Sequence, residues 1–212
     1  NDPFTDEFKG LQSRTMDLVE RVGAQIDTVP EFTTIKPEGS LATKLEMVAK
    51  LIAIRAELGM ERQVFYVGMG GFDTHDAHIN TQQQLFTELS QSMNYFYDVT
   101  TELGVQNNVT SFTSSEFGRT LTSNGDGTDH AWGNHQLVMG GAVRGGDIYG
   151  QVPSLEIDGP DDANNDGRII PTTSVEQFMV SPLRWFGLTD SELNSVMPNL
   201  SSFDANAVDF ML

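Results

Sequence analysis

The four histidines of this 212-residue chain, His75, His78, His130 and His135, fall in two short segments. His75 and His78 lie in GGFDTHDAH (Gly70–His78), and His130 and His135 in GDGTDHAWGNH (Gly125–His135). The second segment follows SSEFGRT (Ser114–Thr120). Carboxylates accompany the imidazoles: Asp73, Glu116 and Asp129. A mixed set of imidazole nitrogen and carboxylate oxygen suits zinc, manganese or another divalent cation. The expected ligand pool is therefore Asp73, His75, His78, Glu116, Asp129, His130 and His135. The alternative is a set of polar turns in which the histidines cap helices or bond to backbone. Arg119 stands beside the same segments and either clamps an anionic oxygen, a catalytic role, or pairs with a nearby acid.

A second polar signal is DANNDGRI (Asp162–Ile169). Asp162, Asn164 and Asp166 alternate and are followed by Gly167, as in the first half of an EF-hand calcium loop. The twelfth place holds Thr173 rather than the bidentate glutamate, so calcium there needs Glu176 or another carboxylate as substitute. The glycine-rich stretch GGAVRGGDIYG (Gly140–Gly150) has no P-loop lysine and no strand-to-helix context, which argues against nucleotide binding. There is no GxSxG elbow to support a serine hydrolase of that class.

The elements that must position these residues read as alternating helices and strands. Ser40–Leu58 carries an apolar stripe of Leu41, Leu45, Val48 and Ile52, with Ser40 as N-cap and Gly59 as stop. Gln63–Met69 (QVFYVGM) is the kind of apolar run found in strands buried on both faces. Thr81–Leu103 is helical by the spacing of Leu85, Leu89, Met93, Phe96, Thr100 and Leu103, and Gly104 closes it. Asn108–Thr113 and Leu137–Met139 read as two further strands. This order predicts an α/β fold with a parallel sheet covered by helices, its ligand crevice beyond the carboxyl ends of the strands. Asp73, Glu116, Asp129 and the histidines are then expected to converge.

Flanking regions are simpler. Residues 1–38 read as an irregular N-terminal segment with a short helix over Asp6–Arg21 and a loop over Val29–Gly39; residues 39–212 read as one domain. Ser174 with Gln177, and Thr189 with Glu192, form capping-box patterns opening two C-terminal helices, with Pro182 placed to kink or split the first.

Thirty acidic against twelve basic residues leave a net charge of −18. Such a field argues against nucleic-acid or anionic membrane-surface partners. The chain has no cysteine, so disulfides, thiolate zinc sites and cysteine nucleophiles are excluded. No stretch approaches the roughly twenty apolar residues of a membrane-spanning helix.

The five segments GGFDTHDAH, SSEFGRT, SNGDGTDHAWGNH, MGGAVRGGDIYG and GRIIPTTSVEQF, in this order and spacing, resemble the domain of unknown function 1501 family over about Ser40–Phe203. That resemblance implies a bacterial protein exported by the twin-arginine route to the periplasm or beyond. It also implies a three-layer αβα fold of the alkaline phosphatase/sulfatase kind, whose members transfer or hydrolyse phosphate and sulfate esters at a metal site. Against the superfamily's metal pattern, Asp73 matches the aspartate of its D-x-x-x-H element, with Ala77 in the histidine place. Glu116 matches the acid of its later D-H-G element, with Phe117 in the histidine place, and His130 matches the final histidine. Family members also carry an N-terminal half bearing a further strand, a metal-binding aspartate and the nucleophile position. Residues 1–38 do not resemble it, so the fold is expected to be incomplete at its N-terminus. The missing half, or another polypeptide segment, is the expected partner. The resemblance leaves the activity open and, if the protein is active, implies metal-dependent phosphate or sulfate ester hydrolysis; the alternative is a non-catalytic secreted or surface structural or binding protein that keeps the fold, with calcium at the Asp162 loop as a stabiliser.

Overall fold

The computed structural model describes residues 2–212. Its helices are α1 (Pro3–Ile26), α2 (Ser40–Ala53), α3 (His78–Glu102), α4 (Val175–Phe186) and α5 (Asp190–Val196). Its strands are β1 (Thr110–Phe112), β2 (Gly118–Ser123), β3 (Thr128–Ala131) and β4 (Val138–Gly140). Local chemistry accounts for the helix ends. Asp2 accepts the Phe4 amide and a proline opens α1, so this helix is longer than its apolar spacing alone indicated. Residues 1–38 are accordingly less irregular than expected. Gly39, not Ser40, is the N-cap of α2, and the carboxylate of Glu88 on α3 accepts the Leu41 amide at 3.1 Å. A cap delivered from another helix leaves no local trace in sequence.

The α2–α3 pair makes the first core. Ala42, Val48, Ala49 and Ile52 pack against Tyr95, Phe96 and Val99, with Phe65, Val67 and Val109 laid against them. The carboxylates of Glu46, Glu102 and Glu31 stand around Tyr95, and burial first, then their charge, pushes its phenol up to about 12.

The sheet differs from the parallel arrangement expected. Among the described residues there are two small antiparallel sheets, β1 with β4 and β2 with β3. Thr110 pairs with Gly140 and Phe112 with Val138. The reason lies between them: β2 and β3 form a hairpin that turns the chain round, so β4 returns beside β1 in the opposite sense. Gln63–Met69 reaches the α2–α3 layer but joins neither ladder. The fold is mixed α/β.

Both C-terminal capping boxes are present, Ser174 with Gln177 on α4 and Thr189 with Glu192 on α5. Pro182 sits inside an unbroken α4, where it is buried. The chain end docks on this helix: the Ser181 hydroxyl accepts the amides of Phe210 and Met211 at 3.1 and 3.2 Å. Phe210, 2% exposed, stacks edgewise or tilted with Tyr149 and Phe178, and Phe178 with Phe112 of β1. This aromatic chain ties the C-terminus to the β1–β4 sheet. Phe210→Ala is expected to cost about 3–5 kcal/mol, a large part of the roughly 5–15 kcal/mol of a typical domain. Urea denaturation checks it, and a midpoint equal to the wild type would show the aromatic chain to be dispensable.

Candidate metal centre

Two pieces of chain build the site. The first is the loop Gly70–Ala77, which leads into α3. Gly71 takes φ 98° and Ala77 φ 48°, both left-handed, so the chain turns sharply at each side of Asp73–Asp76. The second is the β2–β3 hairpin. Its turn, Asn124–Gly127, is closed by the Asn124 amide on the Gly127 carbonyl at 3.0 Å, and by the Gly127 amide on Asn124 Oδ1 at 3.0 Å. Loop and hairpin are stitched together by the His78 amide donating to the Asp126 carbonyl and the Ala77 amide to the Asp126 carboxylate.

In the hairpin Arg119 is directly opposite His130. Cross-strand partners project to one face of a ladder, so a single register delivers both side chains to Asp73. Asp73 Oδ1 lies 2.7 Å from Arg119 Nη1, 2.7 Å from His130 Nε2 and 3.0 Å from His75 Nε2. The two histidine Nε2 atoms are 3.2 Å apart. Asp73, His75 and His130 thus offer one ligand atom each, all within 4.8 Å of one another. Tetrahedral zinc with bonds of about 2.0–2.1 Å separates its ligand atoms by about 3.3 Å. The His–His spacing already meets this, and a shift of about half an ångström at Asp73 would complete it. Two nitrogens and an oxygen also suit zinc by donor type.

Neighbouring groups hold these three in place. His75 Nδ1 is 3.3 Å from Asp129 Oδ1, and Asn124 Nδ2 donates to the same oxygen at 3.0 Å. Asp129 therefore serves to orient His75 and leave its Nε2 facing the cluster, a carboxylate–histidine arrangement typical of metal sites. The Asn124 hydrogen bond, then the His75 contact, holds the Asp129 carboxyl below its ordinary range, against the opposing effect of burial. Phe117 stacks on the His130 ring at 4.4 Å between centroids and 20° between planes. Arg168 Nε donates to the His130 carbonyl at 3.1 Å. Arg119 is clamped, its Nε on Thr128 Oγ1 at 2.9 Å and its Nη2 on the Thr128 carbonyl.

The hydrogen bond from His130, then that from Arg119, lowers the Asp73 carboxyl from its ordinary value. A depressed carboxyl contributes stability above its unfolded-state value and loses it as pH falls through the lowered one. Asp73 is consequently ionised throughout the neutral and mildly acidic range.

Other expected residues lie elsewhere. His78 Nδ1 bonds to the buried Thr74 hydroxyl at 2.6 Å, with Gln82 donating to that hydroxyl as well. Its work is to seat the start of α3. Glu116 and His135 are exposed and stand outside the cluster. Asp162, Asn164 and Asp166 form a separate loop. Both oxygens of Asp162 are occupied by amides, Oδ1 by Asn164 and Arg168, and Oδ2 by Asp158 and Gly167. Asp166 is paired with Arg168. Asp162 thus spends its lone pairs on closing its own loop.

Sequence reasoning missed Thr128, Asn124, Phe117 and Arg168. The Asn124-Gly125 pair, a strong hairpin signal between alternating residues, would have revealed the β2–β3 hairpin and with it the Arg119–His130 pairing.

Residues 11–196 match the family model described as "Protein of unknown function (DUF1501)". The chain belongs to the DUF1501 family. No curated protein and no solved structure matches it. The matched span contains Asp73, His75 and His130 and the groups that orient them.

Proposed function

We propose that this DUF1501 chain binds one divalent cation, zinc by preference, through Asp73, His75 and His130, and that the site serves hydrolysis of a phosphate or sulfate ester. The observation that carries the reading is the convergence of one carboxylate oxygen and two imidazole Nε2 atoms beside a guanidinium. A bound zinc supplies Lewis acidity toward an ester oxygen. The protein's part is to present three oriented donors on an open surface, with Asp129 and Phe117 fixing the two rings. Arg119 keeps positive charge at the cluster, which offsets the repulsion that a chain of net charge −18 exerts on an anionic substrate. Among the described residues no helix is long and apolar enough to cross a membrane.

A second reading, ligand capture without turnover, is favoured by Arg119 itself. Its Nε, Nη1 and Nη2 all have partners within the chain, so it acts first as a brace for Asp73. The deciding experiment is zinc titration by calorimetry, followed by assays on p-nitrophenyl phosphate and p-nitrophenyl sulfate with and without the metal. One equivalent bound with zinc-dependent turnover supports hydrolysis; one equivalent bound without turnover supports capture. Failure to bind zinc or manganese would end both readings.

A further inference from the structure

We propose that Asn124 is a self-modifying residue, converted spontaneously to aspartate or isoaspartate by the Gly125 amide, and that the conversion disables the metal centre. The modification needs no metal; its effect on affinity rests on zinc binding at Asp73, His75 and His130.

The chain holds four pairs in which glycine follows asparagine or aspartate: Asn124-Gly125, Asp126-Gly127, Asp158-Gly159 and Asp166-Gly167. Such pairs cyclise because glycine has no Cβ to shield its nitrogen from the preceding side chain. A neutral amide is the better electrophile, since an ionised carboxylate repels the attacking nitrogen. Packing separates the pairs further. A carbon added to Gly127 would lie 2.2 Å from the His75 carbonyl carbon, one on Gly159 2.7 Å from the Glu156 carbonyl oxygen, and one on Gly167 2.5 Å from Leu121 Cβ. Around Gly125 nothing lies within 4 Å, and every residue from Leu121 to Asp126 is exposed. Of the four pairs, Asn124-Gly125 alone combines an amide with room for the succinimide ring.

The reaction balances with water as its one co-reactant. The Gly125 nitrogen gives its proton to solvent and bonds to Asn124 Cγ; the Cγ–Nδ2 bond breaks and ammonia leaves. Water then opens the ring at either carbonyl, giving aspartate or, with the main chain rerouted through the side chain, isoaspartate. Hydrogen bonds in the turn hold the reacting atoms apart. Asn124 Nδ2 donates to Asp129 Oδ1 and the Gly127 amide to Asn124 Oδ1, each at 3.0 Å, and the Gly125 amide donates to Ser123 Oγ at 3.1 Å. An exposed turn opens at lower cost than a core, so these bonds slow the reaction without blocking it.

Asp129 Oδ1 carries the consequence to the cluster, because the same oxygen faces Asn124 Nδ2 and His75 Nδ1. Conversion replaces the amide donor with a carboxylate, so like charges meet where a hydrogen bond stood. Asp129 is driven off and His75 loses the group that orients it. Isoaspartate also adds a methylene to the backbone of the turn. That lengthens the closure between the Asn124 amide and the Gly127 carbonyl and disturbs the Arg119–His130 register.

Ageing the full chain, free of metal and at mildly alkaline pH, tests this. Tandem mass spectrometry is expected to find the amide-to-acid change at Asn124 before any other asparagine, with isoaspartate at 124 labelled by an isoaspartate-specific methyltransferase. Zinc titration of aged samples should show a converted fraction whose affinity is lower by about ten- to a hundred-fold, and Asn124→Asp should match it. Asn124→Ser, which has no side-chain amide to lose, should hold its starting affinity through the same ageing. An intact Asn124 after other asparagines have converted would overturn the proposal, and so would full zinc affinity in the converted chain. Conversion at Asn124 in a chain that binds no zinc even when fresh would support the modification and strike the metal reading instead.

Discussion

Asp73→Asn and His130→Ala are each expected to weaken zinc binding by on the order of a hundred-fold or more, and Asp129→Asn by about ten- to a hundred-fold. The ranking follows from what each atom touches. Asp73 Oδ1 is the meeting point of His75, His130 and Arg119; the asparagine change removes the anionic ligand and leaves a guanidinium facing the cation. His130 offers a ligand atom to the cluster directly, whereas Asp129 acts through His75. Glu116→Gln and His135→Ala, both at exposed positions outside the cluster, should leave the affinity within a factor of two. Competition with a chromophoric chelator gives the constants, and circular dichroism shows whether each variant keeps its helices. Equal affinities for Asp73→Asn and the wild type, with the fold intact, would show that the cation binds elsewhere.

The same residues show what a sequence can and cannot disclose. Helices α2 and α3 were legible because apolar periodicity is a local property, and the capping boxes at Ser174 and Thr189 because each is written within four residues. Asp73, His75 and His130 were legible as members of a pool, since imidazoles concentrated beside carboxylates narrow the chemistry. Membership in the final cluster was not. His78 lies three residues from His75, yet at the start of α3 it turns to Thr74, while His75 and His130, 55 residues apart in the chain, come within 3.2 Å. That choice is made by the register of a hairpin, and register is a tertiary fact. The parallel sheet was expected from the alternation of helices and apolar runs, a pattern that says nothing about which edges meet. Reversal of the chain through Asn124–Gly127 put β4 beside β1 in the antiparallel sense, and left Gln63–Met69 with strand burial but no ladder.

Register also explains why a residue with no side chain is expected to matter to the site. A Cβ built on Gly127 would lie 2.2 Å from the His75 carbonyl carbon, 2.3 Å from its oxygen and 2.7 Å from the Asp76 nitrogen. All three are backbone atoms, so the clash cannot be relieved by turning a side chain, and hairpin and loop must separate. The backbone of Gly127 does not take a left-handed φ, so the effect is steric rather than conformational. Separation would carry His75 away from His130, stretch the Thr128 amide contact to the Thr74 carbonyl at 3.4 Å, and pull Ala77 from Asp126. Gly127→Ala is thus expected to lower zinc affinity by at least ten-fold without altering any ligand. Gly145→Ala, where nothing lies within 4 Å of the added carbon, should change nothing. Zinc titration of the two variants, with thermal melting to show that the α2–α3 core survives, separates a local opening from global unfolding. Wild-type affinity in Gly127→Ala would mean that the cluster forms without close apposition of loop and hairpin, and the geometric account of the metal centre would fail with it.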